Sequence, residues 1–202
     1  MTQTCHRATI TSMTSRAAED VELLNRYLGG DVDAFDELVR AHEDRVLGIC
    51  LRMMRDREAA LDAVQETFLT VFRKADRYEE RAAFSTWLYR VAVNTCYDQL
   101  RKQKRRRTEA MPEIADPADP RGGDEFEAAE LRPEIEKALQ AVPVDFRAAV
   151  VLVDLQGLAL DQAAQILDVP IGTIKSRVFR GRRVLAESLG NLRAGSRHPK
   201  DE

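Results

Sequence analysis

Aromatic rings and cations are interleaved between residues 77 and 107, a combination of side chains that is suited to binding nucleic acid. Five of the 12 aromatic residues of the chain fall there, namely Tyr78, Phe84, Trp87, Tyr89 and Tyr97. Arginines stand among them, and six bases occupy the seven positions 101–107. A ring stacked on an unpaired base contributes about 1–3 kcal/mol, and a duplex that opens needs a pocket for the extruded base.

These rings have an alternative role, which is to fill the core of a protein module. Tyr78 and Phe84 lie in a segment (76–84) where the helical periodicity is interrupted, so we expect them to be exposed. For Trp87 the sequence leaves core and surface equally open.

A second constellation lies near the C-terminus, where a short apolar pattern, a tight turn and a longer basic pattern follow one another (160–189). This order is typical of a helix-turn-helix, whose second helix reads the major groove. Ala164 is small where the two helices touch, and Ile174, Val178 and Leu185 supply a buried stripe. Thr173 is expected to cap the second helix. Asp168 stands at the turn, where Gly is common and where Asp tolerates a left-handed conformation better than most residues.

The other faces of this second helix carry hydroxyl, basic and aromatic side chains. Arg and Lys can read guanine or bind phosphate, and Phe can contact a thymine methyl group. The alternative is a basic amphipathic helix that packs on a bundle. The candidate DNA-binding residues are Thr173, Lys175, Ser176, Arg177, Phe179, Arg180 and Arg183.

Charge is distributed in blocks that the formal net charge of -3 conceals. Residues 67–107 hold 11 bases and 4 acids, whereas residues 108–134 hold 2 bases and 9 acids. Five further bases and no acid lie between 175 and 183. Two basic blocks on either side of an acidic spacer indicate two contacts along a polyanion, although ordinary solvated helix faces are the alternative.

The elements that position these residues are predicted to be helices, because apolar residues recur at helical spacing and no stretch alternates for long. We predict an all-α chain of two small helical domains joined by a flexible acidic linker, with a helix-turn-helix in the C-terminal domain. A Pro- and Gly-containing acidic composition predicts the linker, and polar residues without periodicity predict a disordered N-terminal tail. The boundaries are a tail at 1–18, a first domain at 19–107, the linker at 108–132, a second domain at 133–192 and a tail at 193–202.

Several classes of protein are disfavoured by composition. No apolar run approaches the roughly 20 residues that cross a bilayer, and no apolar segment of a secretory signal is present, so we expect a cytoplasmic chain that is not itself a membrane protein. Three separated cysteines argue against a disulfide framework or a structural zinc site. Cys96 and His42 fall on inward faces and are expected in the core. Met13 is a second candidate start, since patterned sequence begins near Glu19.

The motifs resemble those of a known family on both sides of the linker. The stretches DAFDELVRAHEDRVLGICLRMMRD, AALDAVQETFLTVFRKA and FSTWLYRVAVNTCYDQLRKQKRR, followed by VPVDFRAAVVLVDLQGLALDQAAQILDVPIGTIKSRVFRGRRVL, are similar to those of extracytoplasmic-function (ECF, group 4) sigma factors of the sigma-70 family. Within it, RAAVVLVDLQG and LGNLRAG resemble the SigM-type subgroup. The departures are Asp168 and the VPVD at 142–145, where an LP pair is common.

The resemblance implies partners and a role for each group of residues. It implies binding to core RNA polymerase, through the β′ clamp helices and the β flap, and to promoter DNA. An anti-sigma factor is an expected inhibitor, and nucleoid association would follow through polymerase. The linker resembles a segment that threads toward the active site and the RNA exit path. Docking on the clamp helices is implied for Asp62, Gln65, Glu66, Phe68, Leu69 and Phe72, -10 recognition and melting for Tyr78, Arg81, Phe84, Trp87, Tyr89, Arg90 and Asn94, and -35 recognition for the helix-turn-helix residues named above.

Two other functions compete with a sigma factor. A stand-alone helix-turn-helix regulator would need only the last 70 or so residues and leaves the aromatic, basic stretch of the first domain unexplained. An enzyme is disfavoured because His6, His42 and His198 have neither triad nor metal-ligand spacing and no phosphate-binding glycine loop is present. We therefore expect no catalytic residue, no metal and no cofactor.

Overall fold

A computed structural model describes residues 3–79, 82–109 and 132–195, and the secondary structure in these ranges is helical. Among the described residues, four helices lie before position 110 and four lie after position 131. Their bounds are α1 (Gln3–Leu28), α2 (Val32–Met53), α3 (Arg57–Lys74), α4 (Phe84–Glu109), α5 (Arg132–Ala141), α6 (Val144–Val150), α7 (Leu160–Leu167) and α8 (Ile171–Gly195), with a 3-10 turn at Ala75–Arg77 and a π-helical turn at Val151–Leu155. The all-α prediction is confirmed.

The starts of two helices follow from aspartates that the sequence places before apolar patterns. Asp31 Oδ1 accepts a hydrogen bond from the Ala34 amide (3.4 Å), and Asp56 Oδ1 accepts one from the Ala59 amide (2.7 Å). Such N-caps satisfy amides that have no partner within the helix. Gly30 follows α1 with a φ of 103°, a conformation that glycine adopts without strain.

The first module is a bundle of α1–α4 around a core of aliphatic and sulfur-containing side chains. Cys50 on α2 and Cys96 on α4 are fully buried, and their Sγ atoms lie 3.7 Å apart. The hydrogen bond with the neighbouring Cys96 thiol, and then burial, raise the pKa of Cys50. Thiols in that state behave as small apolar side chains, so the prediction that Cys96 belongs to the core is confirmed.

The predicted disordered tail at 1–18 is the main departure from expectation in this half of the chain. The helix α1 begins at Gln3 and includes nearly all of that segment. Neither Gly nor Pro occurs before Asp20, so nothing in the sequence interrupts a helix that the packed part of α1 begins. Arg16 donates a hydrogen bond to the carbonyl oxygen of Ala41 on α2 (2.8 Å) and thus ties this extension to the bundle.

The second module contains α5–α8 and a π-helical turn that prolongs α6. Gly157, with a φ of 68°, lies between that turn and α7, and the turn between α7 and α8 is made at Asp168. The helix α8 continues to Gly195, beyond the predicted boundary of 192. The predicted linker spans 108–132, of which 110–131 lie outside the described residues, so its flexibility stays a prediction.

The two modules pack against each other. Buried residues of the π-helical turn and of α7, such as Leu152 and Ile166, belong to the same apolar cluster as Ile49 and Leu88 of the first module. The sequence predicted two modules and gave no sign that they share a core.

Candidate nucleic-acid and polymerase interfaces

The helix-turn-helix is formed as the sequence predicted. Asp168 has φ 52° and ψ 50°, which is the left-handed conformation expected at the turn. Ile174 and Val178 are buried, so one face of α8 is anchored in the module. Thr173 does not cap α8, because the helix begins earlier, at Ile171, and the Thr173 amide donates to the Pro170 carbonyl (2.8 Å).

The opposite face of α8 presents most of the predicted -35 residues to solvent. Phe179 is 69% exposed, which is unusual for a large ring and leaves it free to contact another molecule. The Arg180 guanidinium lies 5.9 Å from the centre of the Phe146 ring, close enough for a cation–π contact. Lys175, Ser176, Phe179, Arg180 and Arg183 are exposed, whereas Thr173 and Arg177 are half-buried.

Close packing sets the depth of α8 in its module. A Cβ atom at Gly181 would lie 2.5 Å from Val150 Cγ2 and 3.1 Å from the Phe146 carbonyl oxygen. No larger side chain fits there without moving α6, so Gly181 brings the backbone of α8 directly onto its neighbour. The exposed side of α8, which carries Lys175, Ser176, Phe179, Arg180 and Arg183 and is called the reading face below, is therefore held in a fixed position relative to α6.

The predicted -10 residues are divided between core and surface. Phe84 and Tyr89 are 1% and 3% exposed, so the expectation of an exposed Phe84 is wrong, and neither ring reaches a ligand in this arrangement. Both rings pack on His42, at centroid distances of 5.7 and 6.3 Å. The imidazole of His42 is itself buried and bonded to Asp20 (2.8 Å), which confirms its predicted place in the core.

Tyr78 and Trp87 are half-buried and lie nearer the surface on this side of the molecule, so Tyr78 is less exposed than expected. Their ring centres are 5.7 Å apart, and each lies against Phe84, at 5.6 and 5.8 Å. The Tyr78 hydroxyl donates to the Ala82 carbonyl (2.6 Å), which holds the loop before α4. Arg90 is half-buried and Asn94 is exposed, while Arg81 lies outside the described residues.

A cavity of about 440 Å³ opens beside these rings. Aromatic and cationic side chains line it, which is the composition expected of a base-stacking pocket. The sequence analysis missed five lining residues, namely Arg77, Glu79, Ala82, Thr86 and Gln165. Arg77 alone could have been found, since it precedes the first aromatic residue of the stretch. The lining residues are Arg77, Tyr78, Glu79, Ala82, Thr86, Trp87, Arg90 and Gln165.

The predicted polymerase-docking residues share one face of α3. Leu69 and Phe72 are 39% and 46% exposed, a high value for apolar side chains. The Phe72 ring also packs edge-on against Phe35 (5.2 Å), which fixes its orientation. Asp62, Gln65 and Glu66 are exposed and Phe68 is half-buried. The face therefore combines apolar and acidic groups, as a protein-binding surface does.

Side chains of the second module bind carbonyl groups of the first. Gln140 Nε2 donates to the Met54 carbonyl (2.6 Å), and Arg147 donates to the Met53 carbonyl (2.7 Å). Arg90 in turn donates to the Gln165 carbonyl. Arg147 is only 5% exposed, and burial, together with the nearby Arg55, lowers the pKa of its guanidinium to about 10.

Neither a metal site nor a membrane-spanning helix is found in the ranges that the structure describes. The described parts of the chain contain no group of three or more His, Cys, Asp or Glu residues that could hold a metal ion. None of the helices within them combines the length and apolarity needed to cross a bilayer.

Comparison with known proteins gives two matches to family models. Residues 38–106 match the model for sigma-70 region 2, and residues 132–185 match the model for sigma-70 region 4. The first span contains α3 and most of the basic, aromatic α4, and the second contains α7 and the first part of α8. The matches thus fall on the two modules and leave the linker between them.

Curated relatives match over both modules. The ECF RNA polymerase sigma factor SigM of Mycobacterium tuberculosis (strain H37Rv) is 39% identical over 176 residues, which cover 87% of each chain. The ECF RNA polymerase sigma factor SigE of Mycolicibacterium smegmatis is 40% identical over 159 residues. That second match covers 77% of this chain and 62% of the relative, so the chain spans less than two thirds of it.

Solved structures share the fold. The sigma factor RpoE of Bartonella quintana, solved in complex with the anti-sigma factor NepR, is 27% identical with a TM-score of 0.62. The match covers 79% of this chain and 98% of that one. CnrH, solved in complex with the cytosolic domain of CnrY, is 21% identical with a TM-score of 0.65 and shows the likeness of fold alone.

Proposed function

The chain belongs to the sigma-70 family, in its ECF group, and we propose from this that it directs core RNA polymerase to promoters. It binds -35 and -10 elements with separate modules and opens the duplex, and it performs no chemistry of its own. The observation that carries this proposal is the pairing of two matched sigma regions with a helix-turn-helix whose reading face is exposed. A stand-alone regulator would need only the second matched region, which contains the helix-turn-helix.

The -35 element is assigned to the exposed face of α8. The lysine and arginine side chains of this face can donate hydrogen bonds to guanine edges or to phosphates, and Phe179 can contact a thymine methyl group in the major groove. Arg177 is half-buried and Thr173 sits at the first turn, so both are assigned to the rim of the contact. The residues are Thr173, Lys175, Ser176, Arg177, Phe179, Arg180 and Arg183.

The -10 element is assigned to the cavity beside α4 and the side chains around it. Tyr78 and Trp87 supply ring faces, Arg90 supplies a cation, and Asn94 supplies an exposed amide. Arg81 lies outside the described residues and is assigned to the -10 element from the sequence resemblance alone. Phe84 and Tyr89 take a supporting role, because they are buried behind the surface rings. An unpaired base that leaves the duplex would stack between ring and guanidinium.

Docking on polymerase is assigned to the α3 face, whose residues Asp62, Gln65, Glu66, Phe68, Leu69 and Phe72 would contact the β′ clamp helices. The second module would hold the β flap, and the acidic linker would occupy the RNA exit path, where a polyanion is displaced by RNA. The relative from Bartonella quintana binds an anti-sigma factor, and we propose regulation of the same kind here. The chain would then act in the cytoplasm, at the nucleoid, through polymerase.

Run-off transcription with purified core enzyme tests this proposal. Templates from the upstream regions of the source genome should give specific transcripts that depend on the added protein. A gel shift with and without core enzyme distinguishes the regulator, which would bind duplex DNA tightly without polymerase. Specific initiation that never depends on this chain would contradict the proposal, as would tight duplex binding by the chain alone.

A further inference from the structure

A salt bridge beside the reading face joins α8 to the π-helical turn, and neither of its residues is among the candidate -35 residues. We propose that Asp154 is a positioning residue, which holds the guanidinium of Arg182 in place to bind a phosphate of duplex DNA. The identity of this DNA as a -35 element rests on the proposed function. The phosphate contact itself follows from the geometry and the charge of the pair.

The first observation is a two-point contact between the two side chains. Arg182 Nε donates to Asp154 Oδ2 (2.9 Å), and Arg182 Nη2 donates to Asp154 Oδ1 (2.5 Å). Two parallel hydrogen bonds of this kind fix the plane of a guanidinium group, which a single bond does not do. A guanidinium has five N–H donors, so those of Nη1 and the second donor of Nη2 are left for another acceptor.

The second observation is that the two charges differ in exposure. The Arg182 side chain is 60% exposed, whereas the Asp154 side chain is 26% exposed. The carboxylate is thus the more enclosed partner, and the pair presents mainly its cation to an approaching molecule. A guanidinium suits a phosphate because its planar fork matches two phosphate oxygens.

The third observation is that the backbone carrying Asp154 is fixed by hydrogen bonds around it. The Gln156 amide donates to the Val151 carbonyl (2.9 Å), and the Leu158 amide donates to the Leu152 carbonyl (3.0 Å). The Leu152 side chain is fully buried, so this turn is anchored in the core. Turns of the π-helical type are frequent at functional sites. The carboxylate therefore has the firm support that a residue needs in order to orient another.

The fourth observation is the side of α8 from which Arg182 projects. Val178 marks the buried face of the helix and Phe179 the exposed face. A rotation of about 100° per residue places Arg182 between these faces, on a flank that it shares with the exposed Lys175, seven residues earlier. An α-helix is about 10–12 Å wide and the major groove about 12 Å, so the flanks of an inserted helix lie against the sugar-phosphate backbones. The position of Arg182 is therefore that of a phosphate contact.

A purely electrostatic account of Asp154 predicts the opposite effect on DNA binding. A carboxylate close to DNA repels phosphates, so its removal should strengthen binding unless the carboxylate serves to orient Arg182. Asp154→Asn removes the charge and keeps the size of the side chain. The sign of the change in affinity therefore distinguishes positioning from repulsion.

Fluorescence anisotropy of a short labelled duplex, titrated with the full-length chain at several salt concentrations, measures the contact. A duplex of arbitrary sequence suffices, because phosphate binding does not depend on sequence and low salt strengthens it. The variants are Asp154→Asn, Asp154→Glu, Arg182→Gln and the combination of Asp154→Asn with Arg182→Gln. Asp161→Asn is the matched control, because Asp161 is an exposed aspartate on α7 of the same module.

We expect Arg182→Gln to weaken binding by about tenfold and to reduce the slope of log affinity against log salt by about 0.9, as the loss of one phosphate contact requires. Asp154→Asn should weaken binding by roughly two- to fivefold, which corresponds to an exposed ion pair. Asp154→Glu, which keeps the carboxylate, should recover affinity. The combined variant should bind like Arg182→Gln, because Asp154 acts through Arg182, and Asp161→Asn should bind no more weakly than wild type.

Several results would overturn the proposal. They are a wild-type chain that does not bind the duplex at low salt, a salt slope unchanged by Arg182→Gln, and an Asp154→Asn variant that binds as tightly as wild type or more tightly. Circular dichroism of each variant checks that it is folded. Unfolding of Asp154→Asn would show that the carboxylate serves stability rather than positioning, and would overturn its assignment too.

Run-off transcription with core enzyme is scored separately from duplex binding. Transcripts that depend on the protein, together with a salt slope that Arg182→Gln leaves unchanged, would refute only the phosphate contact. A changed slope without such transcripts would refute only the sigma function, since the anisotropy measurement needs no polymerase.

Discussion

The two surfaces assigned to DNA have similar side-chain composition but differ in solvent exposure. The exposed face of α8 combines a phenylalanine with basic side chains. Ile174 and Val178, on the other side of the same helix, lie in the core of the second module. The face of α4 has more rings, yet Phe84 and Tyr89 are core residues, Tyr78 and Trp87 are half-buried, and Gln165 of α7 lines the cavity beside them. Aromatic and basic residues in a sequence therefore indicate a binding region without saying which rings are available to bind.

The comparison is tested most strongly by removing one phenylalanine from each surface. Phe84→Ala should lower the free energy of unfolding by about 3–5 kcal/mol, because it leaves a cavity in the first module. Phe179→Ala should change that free energy by less than about 0.5 kcal/mol, since the ring touches little of its own chain. Urea denaturation followed by circular dichroism measures both.

The pair also has a functional contrast. Phe179→Ala should weaken promoter binding by the holoenzyme at the -35 element while the protein remains stable. If instead Phe84→Ala were as stable as wild type and specifically impaired in duplex opening, Phe84 would be a base-contacting residue, and the division between core and surface drawn here would be wrong.

A smaller effect is expected from the cation on the exposed surface. Arg180→Ala should reduce -35 binding by roughly 1–3 kcal/mol and relax sequence preference at one position, if the guanidinium makes a bidentate contact to guanine. Loss of the contact with Phe146 should cost stability of only about 0.5–1 kcal/mol. Competition binding of holoenzyme to promoter fragments measures the first quantity.

Lys137→Ala provides the control for Arg180, because Lys137 is an exposed cation on α5, a different helix from the one that carries the reading face. It removes the same charge and should leave sequence preference unchanged. An equal loss in both variants would show that Arg180 acts through overall charge, and an unaltered -35 preference in Arg180→Ala would remove it from the reading face.

The smallest expected effect concerns pH and the boundary between the two regions. Burial, and then the Asp145 carboxylate, raise the pKa of Tyr97 above its ordinary value of 10.0. Above pH 10 the unfolded chain loses the Tyr97 phenol proton, whereas the folded chain still keeps it. The contribution of Tyr97 to the free energy of unfolding is therefore fully present below pH 10 and is lost as the pH rises further. Tyr97→Phe should therefore show a shallower fall of the melting temperature between about pH 10 and 11.

Other groups titrate in that range and are common to both proteins. Burial raises the pKa of Tyr89, and burial lowers that of Arg147 to about 10, which acts in the opposite direction. The comparison of slopes between wild type and Tyr97→Phe isolates Tyr97. Identical slopes would mean that the phenol is solvated, and hence that α4 and α6 are apart in solution.

Much of the fold could be read from the sequence because its signals are local. Helical periodicity predicted the helices of both modules, and Asp168 was expected at the left-handed turn for its tolerance of that conformation. Ile174 and Val178 were assigned to the buried stripe from their spacing alone. These features depend on neighbouring residues in the chain, which is why one sequence sufficed.

The misses depend on contacts between residues far apart in sequence. Phe84 stands in a segment without periodicity, and only the packing of His42 from α2 shows that it is buried. Gln165 faces the cavity because the modules dock, and no local pattern records that docking. The helical extension before residue 19 was missed for the opposite reason, since polar composition was given more weight than the lack of Gly and Pro.

The close approach at Gly181 has a consequence for how such a chain can change its targets. Replacing Lys175, Ser176, Phe179 or Arg180 alters what the helix reads and leaves the module intact, because these side chains point into solvent. Gly181 cannot be replaced by a larger residue in the same way, because a side chain there would collide with α6. New binding preferences can therefore be acquired by replacing a few residues on the exposed side of α8, while the packing of the helix against α6 stays the same.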